Sequence, residues 1–278
     1  MGKHTKTLRL IEVTSDILVA HHPMTVRQVY YQLVSRQVIE NSRGQYQAVS
    51  NALVDARKDG TIPWKWIGDR LRRPRHVSMW RDLAGFGETV KRAYRRDVWA
   101  DQPGYFEIWL EKDALSGIFE DVLKPYGVTL NVGRGYDGWS SIHAAANRFG
   151  DGSDATILYF GDFDPSGEDM VRSLEERLNY FDCHPEITKC AVTPADVTRY
   201  DLPPDFTKRT DTRSAAFVAQ YGDVAVELDA LPLDVLRARI REEVRAHMDM
   251  SALEKTWKTE EGEREQLLRL LSGTVGGG

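Results

Sequence analysis

Apolar residues in the first sixty positions recur every three to four residues. Residues 5–20 (TKTLRLIEVTSDILVA) have helical spacing, Thr25 is placed to cap a second helix running to about Val38, and Gln45–Lys58 makes a third that Asp59-Gly60 stops. After Gly104 the period changes. The short apolar runs YFEIWL, VTLNV, ATILYFG and ITKCAV alternate with amphipathic stretches, one reaching Leu123, one from about Ser140 and one from about Gly167. Such alternation predicts a parallel sheet with helical crossovers, whose ligand-binding groups gather at the carboxyl ends of the strands.

Three short helices followed by TIPWKWI (61–67) predict a winged helix-turn-helix at the N-terminus. The expected fold is therefore α/β: a winged helix, then a parallel sheet with flanking helices, then a helical C-terminal extension. Asp101-Gln-Pro-Gly104 marks the expected boundary, which divides the chain into 1–98, 104–200 and 201–278, and the terminal GTVGGG is expected to be disordered.

Charge sharpens this division. The formal net charge is -5, but residues 1–100 hold 18 Lys and Arg against 9 Asp and Glu (+9), leaving 19 against 33 (-14) in the rest. A basic first third suits phosphate neutralisation, and an acidic remainder suits a site that collects carboxylates around cations. The longest apolar runs are about half a dozen residues, short of the ~20 a membrane span needs, and MGKHTKTLRL has no leader-like apolar core. The expectation is a cytoplasmic protein without membrane contact. Cys183 and Cys190 fit no metal-ligand pattern and are expected to be reduced thiols.

Candidate chemistry begins at the strand ends. Glu111 directly follows YFEIWL, Asp162 directly follows ATILYFG, and Asp164 stands two residues on, so parallel strands would bring all three to one edge. Three adjacent carboxylates repel unless a cation lies among them, and hard oxygen donors with water access suit magnesium better than zinc. Such an ion can neutralise phosphate charge and orient a scissile bond. A D-x-D pair alone also occurs in ordinary capped turns. Between the strands, VGRGYDG (132–138) offers backbone N–H groups or Arg134 to a phosphate, or serves as a glycine-rich turn.

On the second helix, Val26, Val29, Tyr30, Leu33 and Val34 form one apolar stripe, which makes Tyr30 a core residue. Tyr31 falls about 130 degrees from the centre of that stripe, on the face shared by Arg27 and Ser35, and is expected not to be needed for packing. Arg27, one turn earlier, is placed to bind a phosphate that a Tyr31 phenoxide attacks and to lower the phenol pKa. The alternative is a tyrosine that only hydrogen-bonds a DNA phosphate. On the third helix, Gln47, Asn51, Asp55 and Lys58 lie opposite Tyr46, Val49, Leu53 and Ala56. That polar face suits a DNA major groove, or is simply solvated. RLRRPR (70–75) reads equally as a phosphate contact or a solvated basic loop.

Glu111-Lys112-Asp113-Ala114, GRGYDG at 133–138 and GDFDPSG at 161–167 resemble the three Toprim segments of topoisomerase VI A subunits, and VELDAL at 226–231 resembles a fourth. Arg27, Tyr30 and Tyr31 similarly match the R-x-x-Y-Y pattern of that family and of the meiotic double-strand-break protein. The resemblance covers about residues 5–60 and 105–235. It implies a winged-helix domain over 1–98, a Toprim core over 104–200 extended by 201–278, and Mg2+ held by Glu111, Asp162 and Asp164. It further implies that Tyr31 forms a phosphotyrosyl DNA intermediate and that Glu111 acts as ligand or as acid/base for the leaving oxygen. In the implied homodimer, the tyrosine of one protomer serves the metal site of the other. Glu227 and Asp229 are either auxiliary ligands or caps of a helix beginning near Pro232. No Walker motif is present, so strand passage would require a separate ATPase subunit. Two rivals stand beside this expectation. One is a hydrolytic Toprim nuclease similar to the nuclease subunit of the Wadjet plasmid-defence system, and the other is a non-catalytic DNA-binding protein.

Overall fold

A computed structural model describes residues 5–68, 77–133, 138–204 and 214–273. The N-terminal helices are α1 (Thr5–His21), α2 (Val26–Ser35) and α3 (Arg43–Lys58). The Thr25 side chain accepts the Gln28 N–H while the Gln28 side chain accepts the Thr25 N–H, a reciprocal cap that fixes where α2 starts. The helix ends at Ser35, short of the expected Val38. Tyr30 is buried as expected: its hydroxyl donates to Asn41 Oδ1 (2.8 Å) and accepts the Ser42 N–H (2.7 Å), tying α2 to the start of α3. Where a wing was expected, the described residues hold a 3₁₀ turn at Trp64–Trp66 and one isolated bridge, Met24 to Ile67, instead of a strand pair. Helix α4 (Leu83–Ala93) follows.

Beyond the turn at 100–104, the expected strands and crossovers come in order: β1 (Tyr105–Leu110), α5 (Ser116–Leu123), β2 (Thr129–Val132), α6 (Trp139–Phe149), β3 (Ala155–Phe160), α7 (Pro165–Asn179) and β4 (Glu186–Ala191). All neighbours pair in parallel, in the order β2-β1-β3-β4. The fold class is thus α/β with helices on both faces. Side chains alternate along each strand, so Phe106, Ile108 and Leu110 join Phe119 of α5 in one cluster, while Trp109, Ile157 and Tyr159 pack with α6 and α7 in another. Burying a side chain such as Phe119 contributes about 2–3 kcal/mol. One polar group sits inside the second face: Glu107 is fully buried and accepts from Arg148 Nε (2.5 Å) and Nη2 (2.9 Å).

The chain finishes in helices α8 (Pro194–Arg199), α9 (Ser214–Tyr221), α10 (Leu233–His247) and α11 (Met250–Gly273). Helix α10 packs on α5, and α11 packs on α4. The first apolar cluster is continuous from Leu10 and Ile11 of α1, through one face of the sheet, to Leu253 of α11. Near its far end, the Tyr94 hydroxyl donates to Glu263 (2.7 Å) and the Arg96 N–H to Glu260 (2.8 Å). Among the described residues, no helix is long and apolar enough to cross a membrane. Both cysteines are buried and unbridged. Of the terminal GTVGGG (273–278), expected to be disordered, Gly273 is the last residue of α11 and 274–278 lie outside the described residues.

Candidate functional site

The register of β1 against β3 pairs Leu110 with Phe160, so the residues after each strand emerge side by side at the carboxyl edge. The Glu111 N–H donates to Phe160 O (2.9 Å), and Glu111 Oε2 accepts the Asp162 N–H (2.8 Å). Two glycines make this approach feasible. A Cβ on Gly161 would lie 2.5 Å from Glu111 Oε2, and one on Gly167 would lie 2.3 Å from the Asp162 carbonyl oxygen.

Asp164 does something else. Its Oδ1 accepts the Gly167 N–H (2.6 Å) and the Ser166 hydroxyl (2.8 Å), capping α7. The first N–H groups of a helix have no intrahelical partner, and this carboxylate satisfies one of them. Of the expected set, Glu111 and Asp162 adjoin, while Asp164 caps α7 through Oδ1 and its charge acts on Glu111; among the described residues no group of three acidic, histidine or cysteine side chains is already gathered around an ion position. Glu111 and Asp162 still fit magnesium, which commonly takes one or two carboxylates and completes its shell with water and phosphate.

A second acidic group was only half legible in the sequence. The bridge from Phe163 to Val226 lays residues 226–231 beside the sheet edge, where the Leu228 N–H donates to Asp162 Oδ1 (2.7 Å). Glu227 and Asp229 are not helix caps: Pro232 precedes α10 with no side-chain cap. Both turn toward Lys112 instead. Its Nζ stands 2.8 Å from Asp162 Oδ1, 3.1 Å from Glu227 Oε2 and 3.3 Å from Asp229 Oδ2. Arg27 of α2 donates to Glu227, with its Nε 3.7 Å from Asp229 Oδ2.

Tyr31 belongs to the same network. The Glu227 carboxylate acts on its phenol, its ring lies under the Arg27 guanidinium, and it is only 6% exposed. The expectation of a tyrosine not needed for packing is corrected, because the 3₁₀ turn Leu228–Ala230 covers this face of α2. The expected lowering of its pKa is corrected too: burial and the Glu227 carboxylate push the phenol well above its ordinary value, outweighing Arg27.

The carboxyls divide into two groups. Burial pushes Glu111 up, with Asp164 adding to the effect, and pushes Asp162 up to about 7 despite Lys112. Burial acts in the same direction on Glu227, but Lys112, Arg27 and Tyr31 hold it down at about 2. Lys112 is held well above the usual ammonium range: desolvation opposes this, and Asp162, Asp229 and Glu227 prevail. A depressed carboxyl contributes stability that is complete above its unfolded pKa of ~4.3 and is lost as pH falls through its folded value. Glu227→Gln is accordingly expected to destabilise the protein at pH 7, with the difference from wild type shrinking as pH falls from about 4.5 to about 2. Urea unfolding across that range checks it, and a difference independent of pH would contradict the assignment.

Gln47, Asn51 and Lys58 lie on the exposed face of α3, as the periodicity predicts, with Gln47 donating to Asn51 (3.1 Å). Tyr46, expected on the buried side, is partly exposed and meets Tyr30 edge-on. Arg134, with residues 134–137 of the glycine-rich turn, and RLRRPR at 70–75 lie outside the described residues. No protein-family model and no curated protein matches this chain.

Proposed function

We propose that this chain is a Mg2+-dependent DNA-cleaving enzyme similar to the topoisomerase VI A subunit. Its parallel sheet is a Toprim core, and its first three helices form the winged-helix DNA-binding module. One observation carries the proposal: Tyr31 and Arg27, from an N-terminal helix, join the same ion network as Asp162 at the carboxyl edge of a parallel sheet. A phenol, a guanidinium and two further carboxylates beside a candidate ion site supply the parts of a transesterification.

Glu111 and Asp162 would hold Mg2+, with Asp164 the resemblance-implied third ligand, and the ion would offset phosphate charge. Arg27 binds the scissile phosphate. Tyr31 Oη attacks phosphorus and gives up its proton to solvent, the bond to the sugar oxygen breaks, and that oxygen leaves with a proton from solvent. The exposed Gln47, Asn51 and Lys58 and the basic first hundred residues bind the duplex. The protein acts in the cytoplasm as a homodimer, and strand passage requires a separate ATPase subunit. In the single chain Tyr31 meets its own acidic network; exchange of α1–α3 between two protomers would form the same contacts in trans.

A hydrolytic reaction is the second reading, and the burial of Tyr31 favours it, since water would then be the nucleophile. Supercoiled plasmid incubated with the protein and Mg2+, then denatured, is expected to yield broken DNA whose ends stay protein-linked until proteolysis, and chelation should abolish both. Broken DNA with free ends means hydrolysis. DNA binding with no Mg2+-stimulated breakage overturns the enzymatic proposal in favour of a binding protein.

A further inference from the structure

We infer that Lys112 is a built-in cation that takes the place of a second divalent ion, in a site formed by Asp162, Glu227 and Asp229. Its ammonium lies within 2.8–3.3 Å of one oxygen from each. The site is assembled from three segments, since Lys112 follows β1, Asp162 follows β3, and Glu227 and Asp229 flank a turn held to Asp162 by the Leu228 N–H.

Asp229 is the independent sign that a cation belongs here. Its side chain is fully buried, and neither carboxylate oxygen accepts a hydrogen bond. A buried ionised carboxylate without donors is strongly disfavoured unless opposite charge stands beside it. Lys112 Nζ at 3.3 Å and Arg27 Nε at 3.7 Å provide that charge. Arg27 also carries the candidate phosphate contact, so once it engages DNA, Lys112 is left as the cation serving Asp229.

The sequence Glu111-Lys112 places opposite charges on the two sides of Asp162. Glu111 meets the Asp162 backbone N–H, while Lys112 meets the Asp162 carboxylate from the side of residues 227–229. One divalent ion at Glu111 and Asp162, with a fixed ammonium beyond it, gives the charge layout of a two-ion centre with one exchangeable ion. The inference rests on the proposed function for the first ion alone. The ammonium site stands on its own geometry.

Mn2+ binding to the full chain, counted by electron paramagnetic resonance, tests it. Wild type is expected to bind one ion. Lys112→Met should open the second site and bind two, with the added ion lost in Lys112→Met/Asp229→Asn. Asp229→Asn alone, which keeps the ammonium, should leave the wild-type count unchanged. Equal counts for wild type and a folded Lys112→Met overturn the inference, as does loss of an ion in Asp229→Asn alone, a result readable even if Lys112→Met does not fold. If wild type binds no ion but Lys112→Met binds one that Asp229→Asn removes, the ammonium site stands and the proposed Mg2+ site falls.

Discussion

Tyr31→Phe is expected to abolish protein-linked DNA ends and to lower total cleavage to background, while the protein stays folded. The substitution removes one oxygen and keeps the ring under Arg27, so packing against the 228–230 turn is retained. What is lost is the interaction of the hydroxyl with the Glu227 carboxylate, which costs about 1–3 kcal/mol because that partner is charged. Thermal unfolding should register that modest change, and denaturing gels of labelled DNA should register the complete loss of adducts. Undiminished cleavage with free ends would assign the reaction to water and leave Tyr31 a structural partner of Glu227.

Asp162→Asn is expected to reduce Mg2+-dependent cleavage by about 100-fold or more, the scale seen when one element of a preorganised charge site is removed. Stability should respond differently. A carboxyl whose folded pKa is raised contributes stability that is fully present below its unfolded pKa of ~3.9 and is lost as pH rises through its folded value. With Asp162 at about 7, wild type should lose stability relative to the variant between about pH 4 and pH 7. Urea midpoints over that range, set beside cleavage rates, separate a poised charge from a packing residue. Mixing the two variants locates the tyrosine: mixed dimers of Tyr31→Phe and Asp162→Asn regain cleavage if Tyr31 acts on the partner's ion site, and stay inactive if it acts on its own.

The strands and crossover helices were legible because their signal is local: apolar runs with the right period, broken at Gly or Pro. Glu111 and Asp162 were legible for the same reason, since the end of a parallel strand is a place that sequence can mark. Tyr31 was misjudged because a helical wheel reports only one partner. The stripe through Val29 and Leu33 faces α1 and α3, but a second face of α2 is covered by residues about 200 positions away, Glu227 to Ala230. Lys112 was hidden likewise, as its carboxylates come from Asp162, Glu227 and Asp229. Asp164 shows a second role that the D-x-D spacing did not announce: it also caps the start of α7.

The packing of α4 against α11 has a practical corollary. The boundary at 101–104 looks like a natural place to cut, yet Tyr94 and Arg96, just before it, are held by Glu263 and Glu260 from the far end of the chain. A fragment ending near residue 100 would carry α4 with its supporting surface stripped away, and a fragment lacking α11 would unclasp it from the other side. Helices α4 and α11 behave as two halves of one buckle, so both must be kept together whenever pieces of this polypeptide are made.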